Sequence, residues 1–220
     1  MEKQMVEFGG IQILEPGTVI SDIILAIASF YFFYILKKVA DTKHHKYYSY
    51  FFFFLGLSSI IGAFAHGLYL YTGKSLHFIT WILTGISVFF VEFASSSYIK
   101  EKRMRDFFVF SIKIQFIIYV LLAAYFMNFL TVKINTAVGL LGLVFPIMTY
   151  QLFKSGKLEN LFIMLGIVFA IFPALMHRNR ISIGKIFNMN DLSHFFLVFC
   201  LFLIFIGVHR SILREKVDVT

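Results

Sequence analysis

The amino-acid sequence predicts an all-α integral membrane protein with seven transmembrane helices. Of its 220 residues, 59% are apolar and 15% are charged, whereas ordinary soluble domains have about 45–50% and about 25%. The mean hydropathy is +0.82, and the apolar residues gather into stretches of the roughly 20 residues that cross a hydrocarbon core. This composition excludes a soluble enzyme, a disordered chain and a disulfide scaffold.

Seven apolar stretches qualify as membrane spans, and short polar segments separate most of them. They cover residues 18–37, 47–71, 76–99, 107–130, 134–153, 158–177 and 191–210. Residues 1–17 and 211–220 are then two short tails around a single transmembrane domain, residues 18–210. Pro146 and Pro173 lie inside the fifth and sixth spans, where each removes a backbone hydrogen bond and predicts a kink.

The basic residues orient these spans. Of the 20 Lys and Arg residues, we assign thirteen to one side of the membrane and six to the other, and Lys113 lies within the fourth span. The positive-inside rule places the N-terminus outside and the C-terminus in the cytoplasm. We expect a multi-pass protein of the bacterial inner membrane whose net charge of +8 meets anionic membrane lipids rather than nucleic acid. The oligomeric state is left open.

Ionisable residues inside the spans concentrate near one membrane face. Such residues are costly in hydrocarbon and usually face the bundle interior. With the N-terminus outside, the outer third of the bilayer contains Asp22, His66, His77, His177, Asp191 and His194. A cluster of imidazoles and carboxylates at one depth suits a divalent metal such as Zn²⁺, and we place Asp22, His66 and His194 at its centre.

Two short motifs carry a resemblance to a known family. They are residues 56–67 (GLSSIIGAFAHG), in which Ser59, Gly62 and His66 share one helical face, and residues 190–194 (NDLSH) before the last span. Together with the seven-span layout, these motifs resemble the CREST superfamily, which includes alkaline ceramidases, progestin and adiponectin receptors, and bacterial relatives. The resemblance implies a zinc ion held between the second, third and seventh spans.

The resemblance assigns the zinc ligands residue by residue, with three departures. His66 and His194 match two of the family's histidines. Gly62 stands where the family has Ser, Asn190 stands where it has a second His on span seven, and His77 stands at the position of its carboxylate. We therefore expect His77 to supply the third nitrogen and Asp22 the carboxylate.

The leading functional prediction is a zinc-dependent, ceramidase-like hydrolase of a lipid amide or ester, with its site near the outer leaflet. Zinc lowers the pKa of a bound water to about 7 and so produces a nucleophile. Ser59 or Asp191 would help to polarise the substrate carbonyl. The loop before the last span would act as a lid, with Arg178, Arg180 and Lys185 near lipid phosphates.

Two alternatives stay open. In the first, the protein is a non-enzymatic membrane sensor, receptor or assembly protein, and the cluster is a structural hydrogen-bond network. In the second, His66 and His194 ligate haem for electron transfer.

A further pair of ionisable residues lies deeper in the bundle. Glu92 and Lys113 occupy similar depths in the third and fourth spans, measured from the inner ends. We expect them to form an ion pair that lowers the cost of burying each.

Overall fold

The computed structural model describes residues 4–179, 181–183 and 188–217. Within these residues it contains seven helical spans that are long and apolar enough to cross a membrane, which confirms the predicted all-α, seven-span class. In order along the chain they are Pro16–Val39, Lys43–Gly67, Ser75–Ser96, Lys102–Phe126, Phe129–Ser155, Leu158–Arg178 and Met189–Val217. The last span continues seven residues beyond its predicted end at residue 210.

The described chain contains ten α-helices and one π-helical turn, and nine of these α-helices belong to the spans. The single-helix spans are α1 (Pro16–Val39), α2 (Lys43–Gly67), α4 (Ser75–Ser96), α5 (Lys102–Phe126) and α10 (Met189–Val217), and the short α3 (Tyr69–Thr72) follows α2. The fifth span consists of α6 (Phe129–Ala137), a π-helical turn (Val138–Val144) and α7 (Phe145–Ser155). The sixth span consists of α8 (Leu158–Phe169) and α9 (Ile171–Arg178).

The two interrupted spans are those that contain an internal proline. The π-helical turn ends two residues before Pro146, and α8 ends at Phe169, four residues before Pro173. A proline cannot donate a hydrogen bond to the carbonyl four residues earlier, so the regular helical ladder cannot run through either position.

The first span is preceded by a β-hairpin that was not predicted. Strand β1 (Met5–Phe8) pairs antiparallel with β2 (Ile11–Leu14), and Gly9 and Gly10 join them with φ angles of 57° and 81°. A two-residue turn of this kind requires positive φ, which glycine adopts without a steric cost. The backbone N–H of Gln12 donates to the Tyr71 hydroxyl at 3.0 Å, so the hairpin lies against α3 (Tyr69–Thr72), which follows the second span.

Polar caps define several helix ends. The Glu101 carboxylate accepts from the backbone N–H groups of Arg103 and Met104 at 3.1 and 3.0 Å, and the Asn128 side chain accepts from the Leu130 N–H at 2.9 Å. Each cap satisfies donors that have no partner within the helix. Gly156, with φ 64°, ends α7 in the left-handed conformation.

The helices pass back and forth between two ends of the bundle. We call the end where α1 begins the amino end and the end where α10 finishes the carboxyl end. Helix α2 packs between α1 and α4, and α10 packs against both α1 and α8. The surface is apolar, with large side chains such as Phe107, Leu121, Tyr125 and Phe153 more than 60% exposed. Such a surface suits contact with lipid rather than water.

Two glycines allow the sixth and seventh spans to pack backbone to backbone. A Cβ atom at Gly207 would lie 2.6 Å from the backbone oxygen of Glu159, and one at Gly166 would lie 2.7 Å from that of Cys200. Small residues at such crossings let membrane helices approach closely.

Replacing Gly207 by Ala should therefore separate these spans. We expect the free energy of unfolding in detergent to fall by about 1–3 kcal/mol, the usual cost of overpacking. Gly142→Ala is the matched control, because a Cβ there would meet no atom within 4 Å. Equal thermal midpoints for the two variants would contradict the close packing.

Candidate functional site

Polar side chains from four spans meet at the amino end. We call this set the amino-end cluster. It comprises Glu15, Thr18, Ser21, Asp22, His66, His77, Asn188, Asp191 and His194. The cluster joins the start of α1, the end of α2, the start of α4 and the start of α10, because antiparallel packing brings alternate helix ends together.

Asp22 and His194 form the contact between the first and last spans. The Asp22 Oδ1 atom lies 3.5 Å from His194 Nδ1, and the Ser21 hydroxyl lies 3.0 Å from the same nitrogen. The Asp22 side chain is 6% exposed and that of His194 is 18% exposed. Two groups that are 172 positions apart in sequence are thus adjacent and largely shielded from the surroundings.

The second oxygen of Asp22 is buried against α2. Among the described residues, Asp22 Oδ2 has no hydrogen-bond partner. A Cβ atom at Gly62 would lie 3.2 Å from this oxygen, so the absence of a side chain at Gly62 gives the carboxylate its space. An unsatisfied buried carboxylate oxygen is costly, and a bound cation would remove that cost.

His66 is held by a carboxylate that the sequence analysis did not single out. Its Nδ1 atom lies 2.8 Å from Glu15 Oε2, and its ring meets that of His77 edge-on, with centroids 5.0 Å apart. Glu15 was missed because it precedes the first apolar stretch. If Nδ1 donates to Glu15, the Nε2 atom of His66 keeps its lone pair.

The two residues predicted to polarise a carbonyl are engaged in hydrogen bonds. Asp191 is fully buried: it accepts from the Thr18 hydroxyl at 2.6 Å and from the Asn188 backbone N–H at 2.9 Å. Ser59 donates to the Leu55 carbonyl of its own helix at 3.0 Å. Asp191 therefore connects α10 to α1, and the Ser59 hydroxyl is directed to its own backbone.

His177, which the sequence analysis placed at the same membrane face, lies at the end of the sixth span. Its ring packs against that of Phe129, with centroids 5.7 Å apart.

The spacing of the predicted zinc ligands divides them into two pairs. Two ligands of one tetrahedral zinc ion, each about 2.0–2.1 Å from it, lie about 3.3 Å apart. Asp22 and His194 match this at 3.5 Å. His66 and His77 form the other pair, and the four residues do not converge on one point. In the described chain, the one set of three such residues with ligand atoms within 4.8 Å of one another is His44, His45 and Glu215, at the carboxyl end.

Only part of the predicted lid lies within the described residues. Arg178 is exposed at the end of α9. Arg180 and Lys185 lie outside the described residues.

A groove of about 730 Å³ runs between the fourth and fifth spans. Its lining is mostly apolar and includes Phe107, Ile114 and Leu122, with Gln115 and Asn135 as polar members. Among the described lining residues there is no member of the predicted zinc set. The groove is therefore separate from the amino-end cluster.

The predicted ion pair between Glu92 and Lys113 is wrong. Glu92 is buried and accepts a hydrogen bond from the Gln115 amide at 2.8 Å, and the same amide donates to Asn135 at 3.3 Å. Lys113 is exposed on the outside of α5. Depth along the span was similar for the two residues, but Lys113 faces away from α4 whereas Gln115, two residues later, faces towards it.

The fold and the cluster define a seven-span helical membrane protein with a buried acid–histidine centre at one end. The chain belongs to the family of unknown function DUF6962, which it matches over residues 17–212 and thus over nearly all of the transmembrane domain. No curated protein and no solved structure matches the chain. Membership of the CREST superfamily stays a prediction.

The hydrogen bond between Gln115 and Glu92 can be tested by measuring protein stability. Gln115→Leu should lower the free energy of unfolding by about 1–3 kcal/mol, because it leaves a buried carboxyl group without its donor. Lys113→Gln, two residues away on the exposed side, should change it by no more than about 0.5 kcal/mol. Denaturant titration in detergent measures both, and a larger loss for Lys113→Gln would restore the original pairing.

Proposed function

We propose that the amino-end cluster binds a divalent metal, zinc in the first instance, and that the protein uses it to hydrolyse a lipid amide or ester. The observation that carries this proposal is the contact between Asp22 and His194. It brings a carboxylate and an imidazole from opposite ends of the sequence to the separation typical of two ligands on one ion.

The donor chemistry of the cluster suits zinc. Asp22 and His194 would hold the ion directly, and the buried Oδ2 of Asp22 supplies an oxygen that has no other partner among the described residues. His66 and His77 are further nitrogen donors of the amino-end cluster, and their rings are in contact. When bound, zinc would supply a water with a pKa of about 7 as the nucleophile.

Glu15 is a positioning residue in this proposal. Histidines that ligate metals commonly donate their other ring N–H to a carboxylate, which fixes the ring and raises its basicity. Glu15 stands in that relation to His66 at 2.8 Å. Coordination would then use Nε2 of His66, and the imidazole would have to move towards Asp22 and His194.

A lipid substrate follows from the depth of the site. Asp22 is six residues into α1, or about 9 Å along the helix axis at the usual rise. A group at that depth is within reach of the ester or amide bonds of a membrane lipid. Ser59 and Asp191 are engaged in hydrogen bonds, so in this proposal they stabilise the fold around the site and do not polarise the carbonyl.

The proposal also includes the orientation of the protein in the membrane. Most of the basic residues in and beside the spans lie at the carboxyl end, including Lys43, Lys46, Arg210 and Lys216. By the positive-inside rule this end faces the cytoplasm, and the amino-end cluster then faces the outer leaflet of a bacterial inner membrane.

A second candidate is a non-enzymatic seven-span sensor, receptor or assembly protein. The observation that favours it is the closed hydrogen bonding around Asp191, in which Asn188 donates to Thr18 at 3.0 Å and Thr18 donates to Asp191. The hydrogen bond between His66 and Glu15 would complete a purely structural network. In this case the amino end would hold no metal.

The metal proposal is tested by elemental analysis of protein purified without a polyhistidine tag. We expect Asp22→Asn/His194→Gln to lose one equivalent of zinc per chain relative to the wild type. His209→Gln is the matched control, because it removes a histidine of the same helix at the opposite end. Unchanged zinc in the double variant would refute the site, and a Soret band would instead support haem.

The catalytic proposal is tested by the release of fatty acid from lipid amides and esters in mixed micelles. We expect turnover in the wild type, a loss of at least about 100-fold in Asp22→Asn/His194→Gln, and partial loss in Glu15→Gln with restored activity at higher zinc. Asp191→Asn should lower thermal stability while zinc is retained. Wild-type turnover that survives complete removal of zinc would contradict the mechanism.

A further inference from the structure

A second group of potential metal ligands lies at the carboxyl end, where α2 begins and α10 finishes. His44 Nε2 lies 3.4 Å from Glu215 Oε1, and His45 Nε2 lies 3.6 Å from the same oxygen. The two imidazole rings are in contact, with centroids 4.0 Å apart. One carboxylate oxygen is therefore shared between two neighbouring imidazoles.

His45 has an unusual environment for a residue so close to a helix end. The residue is 1% exposed, and neither Nδ1 nor Nε2 has a hydrogen-bond partner in the part of the chain that the structure describes. Buried polar atoms are nearly always satisfied. The buried nitrogen that faces Glu215 thus points to a ligand that completes the group.

The spacing matches what one metal ion requires. Two ligands of a tetrahedral zinc ion lie about 3.3 Å apart, close to the separations of 3.4 and 3.6 Å from Glu215 to the two imidazoles. All three ligand atoms lie within 4.8 Å of one another. Two imidazoles and one carboxylate form a ligand set that zinc and other divalent transition metals accept, with a further position left for water.

The surrounding charges leave Glu215 available to these histidines. The neighbouring cations have other carboxylates: Lys216 pairs with Asp41 and Arg214 pairs with Glu159, each at 3.0 Å. Within the described chain, the side chains that approach Glu215 at ion-pair distance are the two imidazoles. Glu215 also lies in the last turn of α10, where the negative end of the helix dipole favours a cation.

Two other polar groups border the same point. The Thr42 hydroxyl lies 3.4 Å from His44 Nε2, and the Tyr98 ring packs against that of His44 at 5.2 Å. Thr42 and Tyr98 are therefore neighbours of His44, and the candidate ligand set is His44, His45 and Glu215.

We propose that His44, His45 and Glu215 form a second divalent transition-metal site, which links the start of the second span to the end of the seventh. This site is independent of the amino-end cluster and lies at the opposite end of the bundle. Its metal would be the missing partner of His45 Nε2 and would hold the two helix ends together.

The test isolates this site in the Asp22→Asn/His194→Gln background. After chelator treatment, Zn²⁺ is titrated calorimetrically into that protein and into versions that also carry Glu215→Gln or Asp106→Asn. We expect one Zn²⁺ per chain in the parent and at least about 100-fold weaker binding with Glu215→Gln. Asp106→Asn removes an exposed carboxylate from the start of α5, at the same end of the bundle, and should leave the affinity unchanged.

Two further measurements test the same carboxyl-end site. Co²⁺ in place of Zn²⁺ should give visible absorption bands that Glu215→Gln abolishes, and Zn²⁺ should raise the thermal midpoint of the parent by mass action. Because Glu215 is partly exposed, Glu215→Gln is expected to fold with the parent's helix content. Equal binding by the parent and Glu215→Gln, or no binding by the parent, would overturn the proposal. Failure of the amino-end site would instead appear in the elemental analysis, as equal zinc contents of the wild type and Asp22→Asn/His194→Gln.

Discussion

The packing of this bundle depends on the partners that each buried ionisable side chain finds in another span. Hydrocarbon supplies no water to satisfy a charge or a hydrogen-bonding group, so these partners must come from neighbouring helices. Asp22 on the first span meets His194 on the last, and Glu92 on the third span meets Gln115 on the fourth. Each contact joins two helices at a defined depth and rotation. Apolar packing is not directional, so the apolar side chains between these contacts adapt to the depth and rotation that the polar contacts set.

Glycine makes these polar contacts possible. Gly62 leaves space for the Asp22 carboxylate, and Gly139, in the π-helical turn, does the same for Glu92. In both places a carboxylate on one span approaches the backbone of another, and a larger residue would fill the space it occupies. The same arrangement that buries Asp22 leaves one of its oxygens without a partner among the described residues. A bound cation would satisfy this oxygen. The burial of Asp22 thus connects the packing of the bundle to the proposed metal site.

Hydropathy predicted the fold because the length and composition of a membrane span are local properties of the sequence. Depth was also predictable, since span boundaries place Asp22 and His194 near the same face. Rotation about the helix axis was not predictable, and for that reason Lys113 was assigned to Glu92 although Gln115 makes the contact.

Other features were missed for different reasons. Glu15 was missed because it precedes the apolar stretch, and no local pattern connects His44 and His45 with Glu215. The hairpin could have been predicted, because Gly9 and Gly10 separate two short strand-forming segments.

The central proposal is that a metal ion binds between the first and last spans at the amino end. Diffraction data collected on both sides of the zinc absorption edge, from crystals grown with zinc, would locate any ion directly. We expect an anomalous peak about 2.0–2.2 Å from the Asp22 carboxylate and the His194 imidazole. A structure with no anomalous peak there, and with a direct hydrogen bond between His194 and Asp22, would contradict this proposal.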